Sequence, residues 1–153
     1  MVISDLTLDV HTFSLLNKVN KQMVDWNLEP LTGKGLYSKH HSVAYLEIKM
    51  YASRLGAYPD KNVVIWDIPE DQIIDVHPHY KADIERSLTF FLRYIAALRG
   101  EVINLTFEIN DAGFDKTSAR FSPFEKAAIY AIINSFDTNA LSFMPERIQT
   151  LKG

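Results

Sequence analysis

Two histidines and an aspartate alternate in the stretch IIDVHPHY, which runs from Ile73 to Tyr80. In an extended chain Asp75, His77 and His79 share one face, and carboxylate and imidazole groups bind metals or move protons. Pro78, however, suits the first position of a helix, where a preceding acceptor would bind free N–H groups. We interpret this stretch first as the entrance to a helix, while a metal site and a partner contact stay open.

The same histidines lie in an acidic part of the chain. Residues 57–85 hold seven carboxylates and two lysines, net −5, whereas residues 16–56 have a net charge of +3. Such an asymmetry can steer a charged partner, although two solvated faces would give the same pattern. If a partner binds here, the predicted contact residues are Asp67, Glu70, Asp71, Asp75, His77 and His79.

Three other patterns are weaker. His40 and His41 are adjacent, so on a strand they would point to opposite faces and could not act as one catalytic pair. Residues 32–35, TGKG, lack the spacing and the following Ser or Thr of a phosphate-binding loop. Aromatic and basic groups interleave at Phe90, Phe91, Arg93, Tyr94 and Arg99, which suits either RNA stacking or a helix that buries Phe91 in the core.

Composition bounds the remaining possibilities. The chain has 153 residues, 47% hydrophobic and 23% charged, with a net charge of −3, and this balance disfavours a nucleic-acid binder. The absence of cysteine excludes disulfides and thiolate catalysis. No apolar run is long enough for a membrane span, and the N-terminus is a poor signal peptide. We therefore expect a cytoplasmic protein that needs no cofactor or metal and makes no membrane contact.

Periodicity predicts the elements that must position these residues. The predicted strands are residues 2–10, 62–69, 101–110 and 117–121, and the predicted helices are 11–26, 81–99 and about 123–136. Residues 29–35 are predicted as a loop and residues 111–113 as a turn, while residues 42–55 fit either a strand or a helix. Ser122 and Glu125 suit a capping box around Pro123.

The order of these elements predicts an α+β fold, with about three helices packed on one face of a mainly antiparallel sheet. We expect a single domain over residues 1–153. Residues 1–32 would supply a strand and a helix, residues 33–137 the α+β core, and residues 138–153 a tail.

Several segments resemble domain IV of elongation factor G. They are GKGLYSKHHSVAYLEI, IPEDQI, RGEVINLTFEINDAGF and SPFEKAAIYAI, which together span about residues 33–136. This resemblance implies a fold like the second domain of ribosomal protein S5, and it makes an RNA- or ribosome-binding module one possible function.

The stretch YSKHHSVAYLEIKMYASRLGAYPDKNVVIWDIPED is similar to the central part of RES-domain toxins. That resemblance implies an enzyme that consumes nicotinamide dinucleotide, with the family's Tyr and Glu at Tyr37 and Glu47.

The function that we favour from the sequence is a non-catalytic one. In general character the chain resembles the small immunity proteins of bacterial contact-dependent growth inhibition systems, which neutralise a toxin by binding it. The acidic segment would then cover the basic groove of a cognate toxin, for example a nuclease. The predicted protein has no catalytic residue of its own.

Overall fold

The computed structural model describes residues 9–39, 42–53, 63–68, 79–116, 123–138 and 140–141. Within these ranges the helices are α1 (Val10–Asn17), α2 (Asn20–Asp25), α3 (Tyr80–Arg99) and α4 (Phe124–Phe136). The strands are β1 (Leu31–Lys39), β2 (Ser42–Ala52), β3 (Val63–Trp66) and β4 (Leu105–Lys116). No helix among the described residues is long and apolar enough to cross a membrane.

The four strands form one sheet in the order β1-β2-β4-β3. β1, β2 and β4 pair antiparallel, and the short edge strand β3 runs parallel to β4. The helices pack on the sheet, so the predicted α+β class and the mainly antiparallel sheet are confirmed. Residues 42–52, whose pattern left strand and helix open, form the central strand β2.

Helix α3 contributes one apolar stripe to the core. Ile84, Leu88, Phe91 and Ile95 recur at helical spacing and are all fully buried. Gly100 then ends the helix with φ +67°, a left-handed conformation that favours glycine. The helix predicted over residues 81–99 is therefore confirmed; it runs from Tyr80 to Arg99, with His79 at the N-cap position.

Strand β1 takes in residues 31–35 of the loop predicted over residues 29–35. Gly33 and Gly35 face the helices, and a Cβ at these positions would lie 1.9 Å from the Ala131 carbonyl and 2.3 Å from the Ala127 carbonyl. The glycines therefore let the backbone of α4 lie directly against the strand. The loop prediction was wrong because these glycines serve close packing and not a turn.

The turn predicted at residues 111–113 is also wrong, because β4 continues to Lys116. Glu47 pairs with Asp111 while the next residue of β2, Ile48, pairs with Ile109. Asn110 is thus an extra residue that forms a β-bulge. Odd-numbered residues of β4 face the core before it, and even-numbered residues face the core after it. Before the bulge Phe107 and Ile109 are buried against the helices, and after it Ala112 takes that side.

The helix predicted over residues 11–26 is divided into α1 and α2. The N–H groups of Lys18 and Val19 donate to carbonyls three residues back, Leu15 and Leu16, and this tighter turn separates the helices. Leu16, Val19 and Met23 are buried on both sides of the break, so the apolar spacing does not reveal it. Of the strand predicted for residues 2–10, Val10 begins α1, and residues 2–8 lie outside the described ranges.

Helix α4 runs to Phe136 as predicted, with Ala127, Ala128, Ala131 and Ile132 buried. Pro123 is its N-cap and makes no side-chain capping bond. The capping box needs Ser122, which lies outside the described residues, as do residues 117–121 and 142–153.

Candidate functional site

The sheet has a second face, turned away from the buried core. Alternation along the paired strands places polar and charged side chains there, and we call this surface the polar face. Its polar members among the described residues are Thr32, Lys34, Glu47, Lys49, Tyr51, Asp67, Thr106, Glu108 and Asp111, and the buried side chains of Leu36 and Tyr45 lie on the same face.

Cross-strand contacts hold several of these side chains in place. The Lys34 ammonium lies 3.8 Å from the Glu47 carboxylate on the neighbouring strand. The Tyr51 hydroxyl donates to Glu108 Oε2 at 2.5 Å, and the Lys49 ammonium lies 5.9 Å from the centre of the Tyr51 ring. These contacts order the polar face before any partner arrives.

The described part of the polar face carries an excess of negative charge. It holds four carboxylates, those of Glu47, Asp67, Glu108 and Asp111, and two ammonium groups, those of Lys34 and Lys49. Burial, and then the charges of Glu47 and Asp111, raise the pKa of the Tyr45 hydroxyl well above its usual range. Tyr45 therefore experiences the negative potential of the carboxylates beside it.

Two of the predicted partner contacts lie in the described part of the chain. Asp67 is exposed and follows β3, and its N–H donates to the Ile109 carbonyl at 3.0 Å. The ring of Trp66 packs against Tyr80 on the core side, so alternation directs Asp67 to the polar face.

His79 is exposed at the N-cap of α3, but its imidazole makes no capping hydrogen bond. Glu70, Asp71, Asp75 and His77 lie outside the described residues, and so do His40 and His41. Among the residues that the structure describes, no three His, Asp or Glu side chains come together as a metal site.

Tyr37 and Glu47, the positions implied by the RES resemblance, lie on adjacent strands but not in one site. Tyr37 pairs with Ala44, whose side chain is in the core, whereas Glu47 pairs with Lys34 on the polar face. The two side chains therefore point to opposite faces of the sheet.

Tyr37 belongs instead to a cluster that the sequence analysis missed. Lys126 forms an ion pair with Asp9 and lies 5.3 Å from the centre of the Tyr37 ring, which meets the Tyr130 ring edge to face. Asp9 is also the N-cap of α1 and accepts from the Thr12 N–H at 2.7 Å.

The electrostatics of this cluster hold α1 against α4. The hydrogen bond from Lys126 and then that from the Thr12 N–H keep the pKa of Asp9 well below its usual range. Two sequence signals mark the cluster: Lys126 and Tyr130 are one helical turn apart, and Asp9 precedes Thr12 by three residues.

The aromatic and basic groups of α3 have structural partners. Phe90 stacks with Tyr94, whose hydroxyl donates to the Asn20 side chain at 2.6 Å. The guanidinium of Arg99 donates to the carbonyls of Met23, Val24 and Trp26, where α2 ends. These contacts join α3 to the N-terminal helices and leave no open stacking platform from Tyr94 or Arg99.

Two comparisons of the sequence with known proteins gave no match. No protein-family model matches the chain, and no curated protein matches it in sequence. The polar face and the contacts around it are therefore the basis for a functional proposal.

Proposed function

We propose that this protein is a non-catalytic binding module that neutralises a basic protein toxin by covering its active surface. The observation that carries this proposal is the polar face, where the described side chains of the sheet include four carboxylates and two lysines. The proposed role is that of the immunity proteins of bacterial contact-dependent growth inhibition, and the place of action would be the cytoplasm.

The carboxylates suit this role because of where they are held. Glu47 and Glu108 are partly buried and already positioned by Lys34 and Tyr51, so they lose little side-chain freedom when a partner binds. Asp67 is exposed at the edge next to β4 and connects the polar face to the acidic stretch that follows it in sequence.

A nuclease toxin fits this surface chemically. Its substrate groove must be basic, because it binds phosphates. Complementary charges would speed the encounter, and the effect would weaken as salt screens them.

The test is a kinetic measurement with a basic protein encoded beside this one and co-expressed with it. Association and dissociation rates would be measured at about 50 mM and about 500 mM salt, where screening differs strongly. Asp67→Lys should lower the association rate at low salt by about ten-fold and have a smaller effect at high salt.

Glu85→Lys is the matched control, since it makes the same charge change on the exposed side of α3, away from the polar face. Equal effects of the two substitutions would mean that only the net charge of the protein affects association, and would reject the polar face as the interface. A complex whose association rate does not change with salt would reject charge-steered toxin binding.

A further inference from the structure

A cavity of about 510 Å³ opens on the helical side of the sheet, away from the polar face. It lies between α2, the start of β1 and the end of α4. Trp26, Leu31 and Phe136 form its apolar floor, and Lys21, Gln22 and Asp25 of α2 form its rim. This volume falls within the range of about 300–1,000 Å³ that is typical of small-molecule sites.

The aromatic floor is fixed by contacts that a ligand need not make. The Trp26 and Phe136 rings meet edge to face with their centres 5.4 Å apart. Trp26 Nε1 donates to the Glu29 carbonyl at 2.9 Å, and the Trp26 carbonyl accepts from Arg99 at 2.7 Å. The ring therefore holds its orientation without an occupant.

The turn that follows Trp26 is also held in an unusual conformation. Leu28 has φ +67°, a left-handed geometry that a leucine rarely adopts. The N–H of Ala52 donates to the Leu28 carbonyl at 3.1 Å and keeps the turn against β2. A strained residue of this kind persists only where its surroundings fix it, so the turn between Trp26 and Leu31, which both line the cavity, is held in place.

The rim carries two opposite charges one helical turn apart. Lys21 and Asp25 are both exposed, and neither forms a salt bridge with any residue that the structure describes. A simple anion would be attracted by Lys21 and repelled by Asp25, and a simple cation would meet the reverse. A ligand with both charges satisfies both groups.

We propose that this cavity binds a small zwitterion with an aromatic side chain, that is, an aromatic α-amino acid. The ring would lie on Trp26 and Phe136, the carboxylate would face Lys21, and the ammonium would face Asp25. This site is separate from the toxin-binding surface, so either proposal can fail without the other.

The fluorescence of Trp26 can report whether the cavity holds a ligand. The chain has two tryptophans, and Trp66→Phe removes the other one while keeping an aromatic ring beside Tyr80. Titration of this variant with L-phenylalanine should change the Trp26 fluorescence saturably. Saturation-transfer NMR of L-phenylalanine with the unmodified protein provides the same test without the substitution.

Two analogues separate the charges. 3-Phenylpropionate lacks the ammonium and 2-phenylethylamine lacks the carboxylate, and each should bind about five-fold more weakly than L-phenylalanine. Lys21→Gln should weaken L-phenylalanine and 3-phenylpropionate but not 2-phenylethylamine. Asp25→Asn should weaken L-phenylalanine and 2-phenylethylamine but not 3-phenylpropionate.

Lys18→Gln is the control, because Lys18 is an exposed lysine just before α2 that does not line the cavity. The absence of a saturable signal from L-phenylalanine at millimolar concentration would overturn the proposal. Binding that is equally affected by Lys18→Gln and Lys21→Gln, or equal binding of all three compounds, would overturn it as well.

Discussion

The two faces of strand β1 differ in how much room they leave for side chains. Gly33 and Gly35 lie against the α4 backbone, where one added carbon would meet backbone atoms. Lys34, between the two glycines, and Thr32, just before Gly33, are exposed on the polar face. The helical side of β1 therefore has no room for a side chain at either glycine, whereas the polar side holds exposed side chains at Thr32 and Lys34.

The largest expected effect comes from adding one carbon on the packed face. Gly33→Ala places a Cβ 1.9 Å from the Ala131 carbonyl and 2.6 Å from the Ser135 nitrogen, so α4 must shift. We expect a loss of about 3 kcal/mol in the free energy of unfolding, measured by urea denaturation. Thr32→Ala on the other face of the same strand should change it by less than about 0.5 kcal/mol. Similar losses of stability for both variants would contradict the proposed difference in packing between the two faces of β1.

A smaller effect is expected from the two ion pairs of Arg86, one within α3 and one from α3 to α4. Arg86 bonds Asp83, which is buried, and Glu125 at 2.5 Å. Arg86→Met would leave the Asp83 carboxylate without this cation, so we expect a loss of about 2 kcal/mol. Adding Asp83→Asn should recover about half of that loss, as urea denaturation of the double variant would reveal. No recovery would mean that the packing of the Arg86 stem, and not the charge, matters.

The pair of Asp9 and Lys126 should contribute less, and in a pH-dependent way. Asp9→Ala removes the α1 cap and should cost about 1 kcal/mol, while Asp9→Asn keeps a capping oxygen without the charge. Because folding lowers the pKa of Asp9, its charge stabilises the fold above about pH 4, and this contribution is lost as the pH falls below that value.

Urea denaturation at pH 3 and pH 6 would measure that contribution. The difference in stability between the two pH values should be smaller for Asp9→Asn than for the unmodified protein. Glu85→Gln, on an exposed side chain of α3, is the control and should leave the difference unchanged. An unchanged difference in Asp9→Asn would show that the ion pair does not hold α1.

The smallest effect on stability is expected on the polar face itself. Lys34 and Glu47 are 3.8 Å apart and Lys34 is largely exposed, so Lys34→Gln should change the free energy of unfolding by less than about 0.5 kcal/mol. The same substitution makes the polar face more negative and should speed association with a basic partner at low salt. A large loss of stability would show that this face also holds the fold together.

Much of the fold could be predicted where one residue pattern had one meaning. The apolar stripe of α3 and Gly100 after it gave the correct helix end. The strand predicted over residues 101–110 gave the first half of β4, although β4 begins only at Leu105. Glycine led to a wrong loop prediction where it serves close packing between a strand and a helix. Gly33 and Gly35 looked like loop residues because their packing partner, α4, is about 100 residues away in the sequence.

The candidate site was only partly predictable for a related reason. Asp67 was predicted as a contact residue from local charge, and it lies at the edge of the polar face. Glu47, Glu108 and Asp111 were not, because they come together only through the pairing of β2 with β4. The Lys126 cluster depends on Asp9, which the alternation of residues 2–10 had placed in a strand.

The bulge at Asn110 has a consequence for how this sequence can change over evolution. Ile109 and Asp111 pair with successive residues of β2, and Asn110 lies between them as the extra residue. A deletion of Asn110 would therefore leave a regular ladder, with Asp111 still opposite Glu47 and Ala112 still on the core side. Deletion of a neighbouring residue of β4 would instead move side chains to the opposite face of the sheet. Asn110 should therefore be lost more readily in evolution than the residues on either side of it.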